Sequence, residues 1–160
     1  MAKKQDSAFE KAAKLLSIRG HSCAELTRKL VQREYARSEI EGAVSDCIRL
    51  GYLNDDVFAR SFAEEMRGRG WGPLRIKGAL FRKGLPKSSI EAVMEAAESS
   101  DFGTLEEQAI EALRRRLPGL LREPDFRKRR QKACRFLLGR GFPSDTVFKV
   151  AGRLLQNDAD

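Results

Sequence analysis

Ile76-Lys77-Gly78-Ala79-Leu80-Phe81-Arg82-Lys83-Gly84-Leu85, followed at a five-residue interval by Ile90, is a pattern the chain states three times. Leu80, Gly84-Leu85 and Ile90 echo Leu30, Glu34-Tyr35 and Ile40 upstream, and Leu137, Gly141-Phe142 and Val147 downstream. One helical turn before each leucine stand Leu26, Ile76 and Ala133. The start-to-start spacings are 50 residues, from Leu30 to Leu80, and 57, from Leu80 to Leu137. A period of this size means stacked supersecondary units that share a core with their neighbours, and it points to binding along something extended.

Outward from this stretch, the punctuation is helical. Ser7-x-x-Glu10, Ser22-x-x-Glu25 and Thr104-x-x-Glu107 are capping-box patterns, each predicting a helix start. The first helix is expected to carry Phe9, Ala12, Ala13 and Leu16 on one stripe and to stop near Gly20 with a left-handed C-cap. A third helix follows Tyr35, with Ile40, Val44, Cys47 and Ile48 inward, until Gly51. Asn54-Asp55-Asp56 favours a helix N-terminus running through Phe58, Phe62 and Met66. Pro73 suits the first turn of the next helix, because its absent amide hydrogen would be unpaired there. That helix holds Ile76, Leu80 and Phe81 inside and ends at Gly84. Ile90, Val93, Met94 and Ala97 mark another, and residues 99–103 read as a link. Leu117-Pro118-Gly119 through Glu123-Pro124 reads as a long loop, Asp125 as an N-cap, and the final helix runs to Leu155.

The expected fold is all-α: nine helices in three tandem three-helix repeats, residues 7–53, 54–99 and 104–156, stacked into an elongated, curved array. A three-helix unit of this size buries little apolar surface alone, so neighbours must share a core. Glu34 stands where the other copies have Gly84 and Gly141, so the first repeat must end its middle helix without a left-handed residue or with some strain.

The 160 residues are 41% hydrophobic and 34% charged, which suits a helix-rich globular chain. No apolar run approaches the length of a membrane span, and nothing after Met1 to Asp6 looks like a signal peptide. Cys23, Cys47 and Cys134 are odd in number and far apart, as expected of free thiols in the cytoplasm. The net charge of +8 is uneven. Lysine and arginine exceed aspartate and glutamate by 1 over residues 1–56, by 2 over 57–103 and by 7 over 104–156. The third repeat carries the field, which favours a polyanion or a protein wrapped around one.

Few residues suggest catalysis. His21 is the single histidine and reads as a turn residue; Asp55 and Asp56 lack a third ligand for a metal, and Gly68-x-Gly70-x-Gly72 lacks the strand-turn-helix setting of a dinucleotide site. No cofactor is expected. Arg67 and Arg69 with Trp71, on a glycine-rich segment, are candidates for contact with phosphates, a base or a protein groove. Arg127-Lys128-Arg129-Arg130, with Lys132 and Arg135, places positive charge at a helix start, where it opposes the macrodipole. Local stability does not explain that run, whereas a polyanion or an acidic protein patch does. Each bundle also has a helix-turn-helix outline, as any three-helix unit does.

The stretch Gly51-Tyr52-Leu53-Asn54-Asp55-x-x-Phe58-Ala59, followed by Gly72-Pro73-x-Arg75-Ile76-x-x-x-Leu80-x-x-Lys83-Gly84-Leu85, resembles the bacterial RecX recombination regulators. Ser22-x-x-Glu25-Leu26-x-x-Lys29-Leu30 and Phe136-Leu137-Leu138-x-Arg140-Gly141-Phe142 fit the same pattern. Asn54, where the family usually has aspartate, and Glu34, at a usual glycine, depart from it. The resemblance implies a non-catalytic modulator of the RecA recombinase, lying in the helical groove of the filament on DNA. It would suppress filament growth, strand exchange, ATP hydrolysis and coprotease activity. The partner is then the RecA filament with its single-stranded DNA; no membrane partner is expected, and the protein itself would be a monomer. The contact candidates are Arg67, Arg69, Arg75, Lys83, Arg127, Lys128, Arg129 and Arg130, with Gly51, Tyr52, Leu53, Asp55, Phe58, Gly72, Ile76, Leu80 and Gly84 as structural signature. The alternative is a non-specific DNA-binding repeat protein acting without a recombinase.

Overall fold

The computed structural model describes residues 6–98 and 103–156. Most of the link expected over residues 99–103 lies outside them. The described residues form ten helices and no strand. The first repeat contains α1 (Ala8–Ile18), α2 (Cys23–Val31) and α3 (Arg37–Arg49), and the second α4 (Asp55–Gly68), α5 (Pro73–Arg82) and α6 (Lys87–Glu98). The third contains α7 (Leu105–Arg114), α8 (Leu117–Leu120), α9 (Phe126–Arg140) and α10 (Ser144–Gln156). The tenth helix is α8, in the segment expected to be a loop. Pro118 sits in its first positions, where no amide donor is needed, and Leu120 is buried.

Helix starts follow the sequence signals with one exception. Ser7 and Thr104 make both halves of their capping boxes. Asn54 Oδ1 accepts from the amides of Asp56 and Val57, and Asp125 from those of Arg127 and Lys128. At Ser22 only half the box forms: its hydroxyl accepts from the Glu25 amide, but the Glu25 carboxylate is drawn away by Arg19 at 2.5 Å and Lys83 at 3.6 Å.

Several apolar residues face other ways than their periodicity suggested. On α1 the buried positions are Ala8, Ala12 and Leu15, while Phe9 and Leu16 only border the core. Ile48, Tyr52 and Phe81 are exposed, at 52, 58 and 75%, and Phe58 is half-buried. Gly20 is not left-handed. α1 ends in an extended Arg19, and a Cβ on Gly20 would lie 3.2 Å from the Phe58 ring, so close packing explains that glycine.

By packing, the chain forms two compact units: Met1–Ser61 with Leu80–Ile90, and Phe62–Ala79 with Glu91–Asp160. The middle repeat is divided between them, and the reason is a joint that occurs once in each unit. In the first, the start of α2 meets the end of α5: the Ser22 hydroxyl donates to the Lys83 carbonyl, and Ala24 lies where a Cβ on Gly84 would fall 2.5 Å from its own. In the second, the start of α5 meets the end of α9. The Gly72 amide donates to the Arg140 carbonyl at 2.7 Å, and the Leu74 amide to the Gly141 carbonyl at 3.0 Å. A Cβ on Gly141 would fall 2.5 Å from the Arg75 amide nitrogen. Ser22 and Gly72 are one repeat apart, as are Lys83 and Arg140, so the two joints are the same joint. Gly84 and Gly141 have φ of 74° and 87°, so they serve both the helix turn and the close approach. Glu34 takes φ of 62° without being glycine, which is the strained alternative.

Candidate functional site

The densest positive charge lies on α9. Asp125 satisfies the first amides of this helix, and Arg127, Lys128 and Arg130 project from its first turn, exposed and without a carboxylate partner among the described residues. Arg129 differs: part-buried, it donates through Nε to the Glu123 carbonyl at 3.1 Å. One turn on, Lys132 pairs with the Glu123 carboxylate at 2.5 Å, and this hydrogen bond holds that carboxyl below the usual range. The α9 start is therefore a cationic knob braced by Glu123.

At the other end of α9 sits a second group, held by the joint. The Arg75 guanidinium lies 3.9 Å from the centre of the Trp71 ring and donates to the Gly139 carbonyl at 3.3 Å. Arg140 donates to the Arg69 carbonyl at 3.1 Å, while Arg69 pairs with Glu65 at 2.6 Å. Arg67 is half-buried beside Glu64, Trp71 and Glu107, and burial lowers its pKa. From Lys128 to Gly139 the helix rise gives about 17 Å, so the structure separates Arg69 and Arg75 from the Arg127 to Arg130 run. Lys83 belongs to the first unit and is largely engaged there, with its side chain 25% exposed, between Glu25 and the Phe58 ring at 5.5 Å.

In that unit the signature residues act as a corner. Leu53 is 2% exposed, Gly51 has φ of 76°, and the Asp55 carboxylate accepts from the Cys23 amide at 2.8 Å, capping α2 from a distance. Leu80, in the same unit, and Ile76, in the second, are fully buried. His21 lies in the connection between α1 and α2, as its reading as a turn residue has it, and is buried there. Its Nδ1 is 2.9 Å from the Arg19 carbonyl and its Nε2 is 2.7 Å from Lys29 Nζ, so the ring is neutral, donating to Arg19 and accepting from Lys29. Burial lowers its pKa. Glu25 goes down to about 2: burial pushes it up, but the Arg19 hydrogen bond and the charges of Lys83 and Arg19 outweigh that. Cys23, Cys47 and Cys134 are free thiols; burial raises Cys23 to about 11 and raises Cys47 as well, the reverse of what a reactive thiolate needs. Among the described residues no group of three or more His, Cys, Asp or Glu is placed to hold a metal. No helix there is long and apolar enough to cross a membrane.

Beside the α9 knob a groove is lined by Arg116, Lys132, Arg135 and Phe136; the sequence places Lys132 and Arg135 with the basic run and Phe136 in the family pattern, but does not point to Arg116. Lys132 and Arg135, three apart, share a helix face and could have been paired from sequence. Arg116 and Phe136 are brought together only by the fold.

These features define an all-α protein of tandem three-helix domains with a cationic third domain. Residues 8–47, 54–94 and 105–151 match, in order, the first, second and third three-helix domains of RecX. The chain is 34% identical over 155 residues to the regulatory protein RecX of Thermus thermophilus, covering 96% of this chain and 95% of that one. It is 33% identical over 144 residues to the regulatory protein RecX of Legionella pneumophila (strain Corby), covering 89% and 91%. In fold it is similar to the crystal structure of RecX from Lactobacillus salivarius, with a TM-score of 0.75 at 21% identity over 92% of this chain and 94% of that one. The chain belongs to the RecX family, and its role is that of a regulatory protein of this type.

Proposed function

We propose that this protein binds the RecA recombinase filament on DNA and inhibits its recombinase, ATPase and coprotease activities, so modulating DNA repair and the SOS response. The observation that carries this reading is the ordered match of all three RecX domains along one chain. It acts in the cytoplasm, as a monomer, by contact rather than catalysis, and needs no cofactor. The exposed cations Arg127, Lys128 and Arg130 supply charge complementary to a nucleoprotein surface. Arg129 supports them from within. Arg69 and Arg75 form a second contact group, and Arg67 and Lys83 shape the surfaces beside it and in the first unit.

The test is inhibition of recombinase ATP hydrolysis on single-stranded DNA by the protein carrying Arg127→Glu, Lys128→Glu and Arg130→Glu. At least about tenfold weaker inhibition is expected, since rim charges act through steering and salt-sensitive contact. Unchanged potency would remove the α9 start from the interface. A second reading, non-specific DNA binding without a recombinase, has the charge asymmetry in its favour. Tight, steeply salt-dependent binding to bare strands with no gain from assembled filaments would support it.

A further inference from the structure

A recessed pocket of about 300 Å³ opens where the end of α4, the first turns of α5, the last turns of α6 and the start of α7 come together, all within the second unit. Its walls are apolar: Pro73 and Ile76 from α5, Met94 and Ala97 from α6, and Leu105 from α7. Ile76 is fully buried, so that wall is fixed, whereas Met94 is a flexible thioether that adapts to what it meets. The polar groups are few, namely the cations Arg67 and Lys77 and the neutral side chains Thr104 and Gln108. Among the described residues no carboxylate lines the pocket. The acidic side chains at the start of α7 are engaged elsewhere: Glu106 pairs with Lys149 at 3.4 Å, and Glu107 accepts from the Thr104 amide at 2.6 Å. The Thr104 hydroxyl accepts from the Glu107 amide, which leaves its own proton to donate. The Gln108 side-chain amide gives one N–H to the Gly103 carbonyl and keeps the other. Lys77 is exposed and has no carboxylate partner among the described residues. It stands one turn beyond Leu74, which lies 59% exposed at the mouth.

We propose that this pocket binds a small organic carboxylate with an apolar body, an aliphatic or aryl monocarboxylate. Lys77, Arg67 and the Thr104 hydroxyl hold the carboxylate, and the body lies against Ile76, Met94 and Leu105. At about 300 Å³ the space stands at the small end of ligand sites, which run to roughly 1,000 Å³, so it suits a small molecule and not a partner's helix. An inorganic anion would satisfy the cations and leave the walls in water. A neutral hydrocarbon would do the reverse, and an ammonium would meet Lys77 and Arg67 with like charge. A monocarboxylate matches both the walls and the cations. Its seat is built from four helices of two repeats, so its binding favours the packed state of the second unit. The site does not rest on the recombinase reading: Lys77, Met94, Thr104 and Leu105 have no part in the contact surfaces described for it.

The experiment is a titration of the full-length protein with octanoate, kept below its micelle-forming concentration and followed by the methyl resonances of the methionines. The Met94 methyl is expected to shift saturably, and the Met66 methyl, buried on α4 and outside the lining, to shift much less. Octylammonium keeps the body and reverses the charge, while acetate keeps the carboxylate and lacks the body. Each is expected to bind at least about tenfold more weakly than octanoate. Lys77→Gln is expected to weaken octanoate about tenfold, as the loss of one charge-assisted contact does. Arg82→Gln removes the same charge from an exposed position outside the pocket and is expected to change affinity less than about twofold. Octylammonium binding as tightly as octanoate, equal losses from the two variants, or a Met94 methyl that stays in place would each overturn the proposal. So would a short peptide ending in phenylalanine that displaces octanoate and binds at least about tenfold tighter, since the pocket would then be a seat for a protein's C-terminus.

Discussion

Glu34 is the residue that the repeat pattern would not have chosen. Its φ of 62° is a conformation in which an L side chain costs about 1–2 kcal/mol. Part of that is offset in a glycine variant by the freer unfolded chain. Glu34→Gly is therefore expected to stabilise the protein by about 0.5–1 kcal/mol, read as a higher urea midpoint; no rise would mean that the glutamate side chain makes up for its backbone. His21 makes a pH prediction. The groups facing it are the Arg19 carbonyl and the charges of Arg19, Lys29 and Glu25, and burial depresses its pKa. A histidine kept neutral in the fold contributes stability in full above its unfolded pKa of about 6.5, and this is lost as pH falls towards the folded value. Urea unfolding should thus show stability declining below pH ~6.5, and His21→Gln should flatten that decline. Glu25, lowered to about 2, adds a separate loss below its unfolded range.

At the scale of the element, α9 starts with Arg127, Lys128, Arg129 and Arg130 against the positive end of its own dipole, and Asp125 is the carboxylate that offsets them. Asp125→Ala is expected to cost about 1–2 kcal/mol, with the loss shrinking as salt screens the arginines. A loss of the same size at all salt concentrations would assign the whole effect to the two amide hydrogen bonds. Starts and stops such as this were legible because they depend on neighbours within four residues: Ser7, Thr104, Asn54, Asp125, Pro73 and Gly51 all do what their local chemistry dictates. Faces were less legible. Ile48 follows the buried Cys47, and Phe81 follows the buried Leu80, each by the roughly 100° that separates inside from outside. The Ser22 pattern failed for another reason, since the Glu25 carboxylate pairs with Arg19, outside the helix and six residues back, and with Lys83, distant in sequence. The candidate site divides in the same way. Its cations were visible in the sequence, but which of them are braced, as Arg129 and Lys132 are by Glu123, is a product of folding.

Across the whole molecule, three repeats in sequence become two units in packing, because each joint binds the start of one middle helix to the end of the next. Gly141→Ala would set a Cβ against the Arg75 backbone at a residue with φ of 87°, and is expected to cost at least about 2 kcal/mol. Amide hydrogen exchange should then quicken in α7, α9 and α10 while α1, α2 and α3 keep their protection. Uniform quickening would show that the two units unfold as one. The joint also has a direction, running from a helix start to the glycine of the following repeat. A contact of that head-to-tail kind, repeated between molecules, would grow without limit. At the one upstream socket left over, the residue is Glu34, whose Cβ occupies the space that Gly84 and Gly141 leave open. A single side chain therefore stands against the copying of this joint between molecules at that end.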